Sequence, residues 1–249
     1  MGRRLGQHFL KWKPVLERIA LAVCPERQPL VIEIGPGRGS LTEYLLARAE
    51  RVIAIETDGS LVEYLKDKFA AAGNLTLVHA DVLETDLGQW GPAVLAGNLP
   101  YCITSPILRK ALTLGQSLRS AVFLIQKEVA ERLTAQPGTR EYGFLTVQTL
   151  LYAKPEILFE VPAAAFHPPP KVDSALVRLT PHQRVEAGAE QFLEFVGHCF
   201  QYKRKTLRNN LAGLYDRRLL AEILESSRRA EQLSLAEFTA LYRRLMSFR

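Results

Sequence analysis

The chain has 249 residues, of which 47% are hydrophobic and 23% charged, and 32 basic against 26 acidic side chains leave a net charge of +6. This composition excludes a disordered, collagen-like or disulfide-stapled chain, and the length suits one large domain or a large domain with a smaller one. The three cysteines form no C-x-x-C pair, so neither a disulfide framework nor a metal site is indicated. Because we find no targeting signal and no apolar run as long as a membrane span, we expect a cytoplasmic protein.

Short β-branched apolar runs alternate with amphipathic segments from residue 30 onward, which is typical of parallel βαβ units. We therefore predict an α/β fold with a doubly wound, mostly parallel sheet of seven strands, the last two added antiparallel at one edge. The predicted strands are 30–34, 51–55, 75–79, 93–96, 121–125, 155–160 and 172–179, and the predicted helices among them are 41–49, 61–71 and 144–152.

After residue 181 only helical periodicity remains, at 191–201, 203–214, 216–224 and 235–246. We therefore predict two domains, 1–181 and 182–249, of which the second is small and all-α. Residues 182–249 carry 12 basic and 8 acidic side chains, against 20 and 18 in residues 1–181. The small domain thus holds most of the excess positive charge.

A glycine-rich turn follows the first predicted strand, with Gly35, Gly37 and Gly39 in a G-x-G-x-G spacing. Such a turn lets the backbone approach a ligand closely, although the spacing differs from the G-x-G-x-x-G of dinucleotide enzymes. Glu56 ends the next strand about 20 residues further on, where a carboxylate can accept hydrogen bonds from ribose hydroxyls. The pattern indicates a nucleoside-containing cofactor. The alternative is a tight turn beside a solvated Glu56.

Asp81 follows the third predicted strand, at the carboxyl edge of the sheet where ligands of such folds bind. Its carboxylate could accept a hydrogen bond from an adenine amino group. It could equally cap the segment that starts with Val82 and Leu83. The sequence alone leaves both roles open.

The fourth predicted strand is followed by Asn98, Leu99, Pro100 and Tyr101. The exocyclic amino group of adenine is a poor nucleophile, because its lone pair is delocalised into the ring. The Asn98 side-chain oxygen and the Pro100 carbonyl could hold both amino hydrogens, while Tyr101 stacks on an extruded base. A sulfonium methyl donor would need no general base. The alternative is a Pro-Tyr turn with a buried aromatic.

Six motifs occur in one order along the chain and together resemble the rRNA adenine N6,N6-dimethyltransferases, most closely the KsgA-type members that modify small-subunit RNA. The resemblance implies a Rossmann-like class I methyltransferase fold that uses S-adenosylmethionine to dimethylate two adjacent adenosines near the 3′ end of 16S rRNA. The motifs are QHFL at 7–10, EIGPG at 33–37, NLPY at 98–101, QKEVA at 126–130, FHPPPKVDS at 166–174 and KRKTLRNNL at 203–211.

The resemblance also implies residue roles. The segment from His8 to Leu10 would close over the cofactor, Glu56 would bind its ribose and Asp81 its adenine, and Phe166 would pack against the target base. The implied cofactor-binding residues are His8, Leu10, Gly35, Gly37, Glu56, Asp81, Val82 and Asn98. The implied residues around the target base are Asn98, Leu99, Pro100, Tyr101 and Phe166.

Basic side chains crowd one segment of the C-terminal domain: Lys203, Arg204, Lys205 and Arg208. Such a cluster suits contacts to RNA phosphates, which provide affinity and register. The alternative is a solvated charged face. We expect this domain to dock onto folded rRNA in the small ribosomal subunit, with the protein acting as a monomer.

Other functions remain open at this stage. A related group methylates one adenine of 23S rRNA and confers macrolide resistance, and a non-catalytic RNA-binding assembly factor could use the same fold. A dinucleotide-dependent oxidoreductase is a more distant alternative, which failure to bind S-adenosylmethionine would favour.

Overall fold

The structure is a computed structural model that describes residues 8–183 and 188–247. The chain divides into two compact units, Met1–Ala130 with Lys154–Gln183 and Glu131–Ala153 with Arg184–Arg249. Residues 131–153 therefore belong with the C-terminal residues, because Tyr142 and Val147 are part of their apolar core. The assignment of methyl transfer to 1–181 and RNA binding to 182–249 stays a prediction. No helix of the described segments is long and apolar enough to cross a membrane.

The first unit is an α/β layer structure whose helices and strands alternate along the chain. They are β1 (Phe9–Leu10), α1 (Lys13–Val23), β2 (Gln28–Ile34), α2 (Thr42–Leu46), β3 (Ala49–Glu56), α3 (Gly59–Lys68), β4 (Leu75–His79), β5 (Ala93–Asn98), α4 (Thr104–Leu112), β6 (Leu118–Gln126), α5 (Lys127–Thr134, which continues into the second unit), β7 (Ala153–Val161), β8 (Phe166–His167) and β9 (Ser174–Pro181).

Seven strands form one sheet in the order β4-β3-β2-β5-β6-β9-β7. The first five are parallel to their neighbours, and β9 is antiparallel to β6. The predicted fold class is thereby confirmed, and β7 lies beyond β9 at the edge. The chain order reverses between β2 and β5, so the carboxyl ends of these two strands are where a ligand is expected.

The central strands consist of nearly continuous β-branched apolar residues. Residues 31–34 of β2 and 52–55 of β3 are buried, which is typical of parallel strands covered on both faces. Leu16 and Ile19 of α1 and Leu45 of α2 pack in one core cluster with Val31. The predicted helix at 41–49 is shorter, because Ala49 already pairs with Gln28 as the first residue of β3.

A two-stranded ribbon, which the sequence analysis did not predict, lies beside the main sheet. In it, Phe9 of β1 pairs with His167 of β8, and Leu10 pairs with Phe166. Strands of two residues are too short to produce a recognisable periodicity. The ribbon fixes the N-terminal segment against residues far along the chain. Beside it, His8 Nδ1 contacts the carbonyl oxygen of Pro168, 160 residues later in the sequence, at 2.8 Å.

The second unit is helical, as predicted. Its elements are α6 (Phe144–Tyr152), α7 (Ala189–Cys199), α8 (Leu207–Leu211), α9 (Arg217–Glu222) and α10 (Leu235–Met246). α6 and α10 have the predicted bounds, and Ser234 caps α10 by accepting a hydrogen bond from the Glu237 amide. The predicted helix at 203–214 is wrong for its first turn, since helix begins at Leu207.

Asn210 explains that late start. Its side-chain amide donates to the Cys199 carbonyl at 2.8 Å and to the Tyr202 carbonyl at 3.3 Å, and its Oδ1 accepts from the Tyr202 amide at 3.1 Å. These bonds hold residues 200–202 in a turn instead of a helix. The basic residues 203–205 therefore lie in an exposed loop before α8.

Candidate active site

A pocket of about 230 Å³ opens at the carboxyl ends of β2, β3 and β5 in the first unit. Its wall brings together the ends of three strands with the N-terminal segment, as the reversal of strand order predicts. The pocket wall includes the predicted site residues His8, Leu10, Gly35, Gly37, Glu56, Asp81, Val82, Asn98, Leu99, Pro100 and Tyr101.

The glycine turn after β2 depends on backbone conformations that favour glycine. Gly35 and Gly37 have φ angles of +67° and +57°. A Cβ atom at Gly37 would also meet Phe9 Cε1 at 3.0 Å, whereas one at Gly35 would meet nothing within 4 Å. Both positions are therefore conformationally restricted. The open space above Gly35 leaves the backbone accessible to a ligand.

Glu56 is buried, with 4% of its surface exposed, so the alternative of a solvated strand end is wrong. Its Oε2 accepts a hydrogen bond from the Gly37 amide at 3.1 Å, and its Oε1 accepts from the Thr57 and Asp58 amides at 3.0 and 3.1 Å. The carboxylate thus ties the end of β3 to the glycine turn. These bonds use three of the four lone pairs, so Oε2 of this pocket-lining residue can accept one further hydrogen bond.

Glu33 is a pocket residue to which sequence reasoning gave no role. It lies in β2, is 2% exposed and accepts a hydrogen bond from Thr42 Oγ1 at 2.6 Å. Burial raises the pKa of its carboxyl group to about 7, and the nearby Glu56 carboxylate acts in the same direction. An acidic residue within an otherwise apolar strand was the available sign in the sequence.

Asp81 adopts the capping role that the sequence left open and also lines the pocket. Its Oδ1 accepts a hydrogen bond from the Leu83 amide at 2.8 Å, which orders the segment after β4. Val82, the next residue, is buried in the wall. Capping uses one carboxylate oxygen, so the two roles are compatible.

Asn98 is the last residue of β5. Its Nδ2 donates a hydrogen bond to the His8 carbonyl oxygen at 2.9 Å. Since a carbonyl can only accept, this bond fixes which side-chain atom is nitrogen and leaves Oδ1 of this pocket-lining residue available as an acceptor. The side-chain amide therefore offers an acceptor oxygen, which is the partner that the hydrogens of an adenine amino group require.

The Pro100 carbonyl, which we expected to accept an amino hydrogen of adenine, is already hydrogen-bonded within the protein. Its oxygen accepts hydrogen bonds from the Ile103 amide at 3.1 Å and from Thr104 Oγ1 at 3.0 Å. A carbonyl oxygen has two lone pairs, so in this conformation it has no free position for an adenine amino hydrogen. The bonds to Pro100 instead hold the loop against the start of α4.

Tyr101 lies at the mouth of the pocket. Its hydroxyl is 3.0 Å from Ser174 Oγ, and its ring centroid is 5.7 Å from that of His8, with 30° between the planes. Carbon atoms in contact are about 3.5–4 Å apart, so no base fits between these two rings. A base that stacks here must use the other face of Tyr101 or displace His8.

Phe166 does not line the pocket. It is 4% exposed and packs in the core cluster with Leu10, its partner in the ribbon. Facing residues of an antiparallel pair lie on the same side, which places both side chains in the core. The role expected for Phe166, contact with the target base, would require its ring to leave this core.

The predicted RNA-binding residues Lys203, Arg204, Lys205 and Arg208 lie in the second unit, and all four are exposed. Tyr202 beside them is 59% exposed. The Lys203 ammonium donates a long hydrogen bond, 3.4 Å, to the Arg140 carbonyl. The loop therefore displays an aromatic ring next to a run of positive charge.

A seven-stranded, mostly parallel sheet with a glycine turn after β2 and an acidic residue ending β3 defines the class of Rossmann-like methyltransferases. The model of the family described as "Ribosomal RNA adenine dimethylase" matches residues 2–246, so the chain belongs to that family. Gln7 of its first motif lies outside the described residues.

Individual relatives agree with this membership. The chain is 41% identical over 96% of its length to "Ribosomal RNA small subunit methyltransferase A" of Acinetobacter baylyi, covering 90% of that protein. A dimethyladenosine transferase from Plasmodium falciparum matches with a TM-score of 0.82 and 26% identity, covering 96% of this chain and 98% of that one. The 23S rRNA methyltransferase ErmE matches with a TM-score of 0.73 and 29% identity, covering 96% and 99%.

Proposed function

We propose that the protein transfers methyl groups from S-adenosylmethionine to the N6 atoms of two adjacent adenosines near the 3′ end of 16S rRNA, and so acts in small-subunit biogenesis. The observation that carries this proposal is the acceptor oxygen of Asn98, held in the same pocket as Glu56 and Asp81. The relatives named for the small ribosomal subunit support the choice of RNA.

The pocket has the chemistry that S-adenosylmethionine needs. Glu56 offers a buried carboxylate for the ribose hydroxyls, Asp81 an acceptor for the adenine amino group, and the turn at Gly35 an open stretch of backbone. Apolar side chains such as Leu10 and Val82 complete the wall. When bound, S-adenosylmethionine supplies an electrophilic methyl group on a sulfonium centre whose neutral thioether leaves.

The NLPY loop would prepare the target amino group. Asn98 Oδ1 accepts one amino hydrogen and thereby favours a tetrahedral nitrogen with an available lone pair. Because the Pro100 carbonyl is engaged by Ile103 and Thr104, we assign the second hydrogen to the Leu99 carbonyl, to which the described residues provide no donor. The Leu99 amide bonds to the Leu124 carbonyl at 3.0 Å, which holds this peptide in place.

Tyr101 would hold the base. Its hydroxyl is tied to Ser174, so the ring has one fixed orientation on which an extruded adenine can stack. Such stacking contributes about 1–3 kcal/mol, comparable with the cost of unstacking a nucleotide. The proton left on nitrogen after methyl transfer can pass to water, so no side chain of perturbed pKa is required.

The basic loop of the second unit would bind RNA phosphates. Lys203, Arg204 and Lys205 project from an irregular loop that Asn210 stabilises, and Tyr202 adds a surface for a base. We place the protein in the cytoplasm, where its rRNA substrate is found. The monomeric state expected from the sequence stays a prediction.

The test is transfer of labelled methyl groups to unmethylated small ribosomal subunits and, in parallel, to protein-free 23S rRNA, followed by nucleoside chromatography. We expect dimethyladenosine from small subunits alone. The Asn98→Ala variant serves as the control for contaminating activity.

Label in 23S rRNA alone would assign the protein to the resistance group, a possibility raised by its similarity to ErmE. Binding to subunits with no label in either RNA would instead indicate a non-catalytic assembly factor.

A further inference from the structure

Trp12 is a large aromatic residue exposed beside the pocket. Its side chain is part of the surface, with 47% of the residue exposed, and its neighbours Lys11 and Lys13 are exposed as well. Leu10, two residues earlier, and Leu16, four residues later, both line the pocket. The Lys-Trp-Lys segment therefore lies between two stretches of chain that contribute to the pocket wall.

The local structure gives no reason for a tryptophan at this position. Trp12 is the N-cap of α1, where Ser, Thr, Asp or Asn is preferred because the side chain accepts a hydrogen bond from a free amide. Trp12 makes no such bond, whereas Asp58 caps α3 by accepting from the Ser60 amide. Helix capping therefore does not account for a tryptophan here, and a residue that departs from a local preference is a candidate functional position.

The backbone holds Trp12 firmly. Its carbonyl accepts hydrogen bonds from the Val15 and Leu16 amides at 3.1 and 3.0 Å, and the Lys11 amide donates to the Ala165 carbonyl at 2.9 Å. The residue is thus tied on one side to α1 and on the other to the segment before β8. An indole on a fixed backbone loses little conformational freedom when it stacks on a ligand.

The charges around Trp12 favour a polyanion. Within residues 8–183 and 188–247, the ammonium groups of Lys11 and Lys13 form no ion pair. Unpaired bases of single-stranded RNA stack on aromatic side chains while nearby cations contact phosphates. An exposed indole between two free lysines combines both features.

We propose that Trp12 stacks on an unpaired nucleotide of the RNA substrate adjacent to the adenosine that enters the pocket, with Lys11 and Lys13 contacting the flanking phosphates. This inference rests on the proposed function for its RNA substrate. It adds a contact in the first unit that selects for a single-stranded neighbour of the target.

The test compares Trp12→Ser with Trp12→Tyr in the full chain. Serine can cap α1, so Trp12→Ser should keep or raise the thermal unfolding temperature, while weakening binding to a short unstructured RNA and to small subunits by roughly tenfold. Trp12→Tyr keeps an aromatic ring and should bind within about threefold of the parent protein. S-adenosylmethionine affinity should be the same in all three proteins.

Fluorescence provides an independent measurement, because the chain has only two tryptophans, Trp12 and Trp90. In a Trp90→Phe background, RNA should quench the remaining emission, and a Trp12→Phe protein should show no comparable quenching. Trp12→Ser binding RNA as tightly as the parent would overturn the proposal. A loss of affinity in Trp12→Ser for small subunits but not for free RNA would also overturn it, because that result would indicate a ribosomal protein as the partner of Trp12.

These readouts separate the two proposals. If the parent protein transfers no methyl group to small subunits, the proposed function fails, whereas quenching of Trp12 by RNA still measures the stacking contact directly.

Discussion

The side chain of Asn98 is hydrogen-bonded to the backbone carbonyl of His8, 90 residues earlier in the chain, at 2.9 Å. Both residues line the pocket, so this bond fixes the N-terminal segment to the end of β5 in the pocket wall. The His8 ring in turn packs 5.7 Å from Tyr101. The role proposed for Asn98 in holding the target amino group would therefore be linked to the position of the N-terminal segment through a single amide.

Asn98→Ala should reduce the rate of methyl transfer by roughly 100-fold at saturating cofactor, by analogy with removing one polar group that stabilises a transition state. The acceptor for the amino hydrogen is lost, while the carboxylates at the other end of the pocket remain. Single-turnover kinetics on small subunits measures the rate. Cofactor affinity, measured by calorimetry, should change less than about tenfold; a larger loss of affinity at an unchanged rate would mean that Asn98 serves only the cofactor.

Glu56→Ala should chiefly affect cofactor affinity and not the rate: it should weaken cofactor binding by at least about tenfold. The substitution removes the ribose acceptor and also leaves the Gly37, Thr57 and Asp58 amides without their partner. Calorimetry gives the affinity, and the maximal rate at saturating cofactor should stay within a few-fold of the parent. Equal effects of the Glu56 and Asn98 substitutions on both quantities would show that the two sites are wrongly assigned.

Glu33 should titrate near neutral pH. Its pKa in the folded protein is raised to about 7 from 4.5, so the folded state retains a proton that the unfolded chain releases as pH rises between these values. The contribution of Glu33 to stability is therefore greatest below about pH 4.5 and is lost as pH rises through about 7, by on the order of 3 kcal/mol. Carboxyl-carbon NMR titration measures the pKa directly.

Glu33→Gln is the matched variant for that measurement, because its amide oxygen can still accept the hydrogen bond from Thr42. The loss of unfolding free energy between about pH 4.5 and 7 should be smaller in Glu33→Gln by the contribution of Glu33, on the order of 3 kcal/mol. A resonance that titrates near 4.5, or an identical pH dependence in both proteins, would contradict the assignment.

Replacing Lys203, Arg204 and Lys205 together by Gln should weaken RNA binding and lower the slope of log Kd against log salt by about 2–3. Three phosphate contacts are lost, and with them the release of their counterions. Filter binding to small subunits at several salt concentrations measures the slope. All three side chains are exposed, so the unfolding temperature should not change.

A control triple removes the same charge elsewhere. Arg27, Arg48 and Arg51 are exposed at the amino ends of β2 and β3, the opposite edge of the sheet from the pocket. Their replacement by Gln should leave the salt slope nearly unchanged. If both triples lower it equally, binding depends on net charge and not on the basic loop.

The sequence predicted the sheet well because its strands are short apolar runs between glycine and charged residues. Each of the seven predicted strands lies within an observed strand except 172–179, which begins two residues early, before Ser174. Failures occurred where long-range contacts decide the structure. The β1–β8 ribbon depends on pairing across more than half the chain, and the turn at 200–202 depends on the Asn210 side chain.

The residues that line the pocket were predictable to a similar degree, while their roles stay predictions. Turn chemistry and strand ends identified Glu56, Asp81 and Asn98, since the carboxyl ends of parallel strands converge. Sequence could not show that the Pro100 carbonyl is engaged by Thr104 or that Phe166 is buried, because both depend on tertiary packing. Glu33 was missed because its environment, not its spacing, makes it unusual.

The helical unit is assembled from two separate stretches of chain, and this limits how such proteins can be recombined. Tyr142 and Val147 come from the first stretch, whereas Phe195 and Leu241 of the same core come from the second. A chimera joined at residue 182 would combine halves of one core from two parents. We expect exchange of this unit between relatives to succeed only when residues 131–153 are exchanged together with the C-terminal segment. The exchangeable unit is therefore encoded by two separate stretches of the gene.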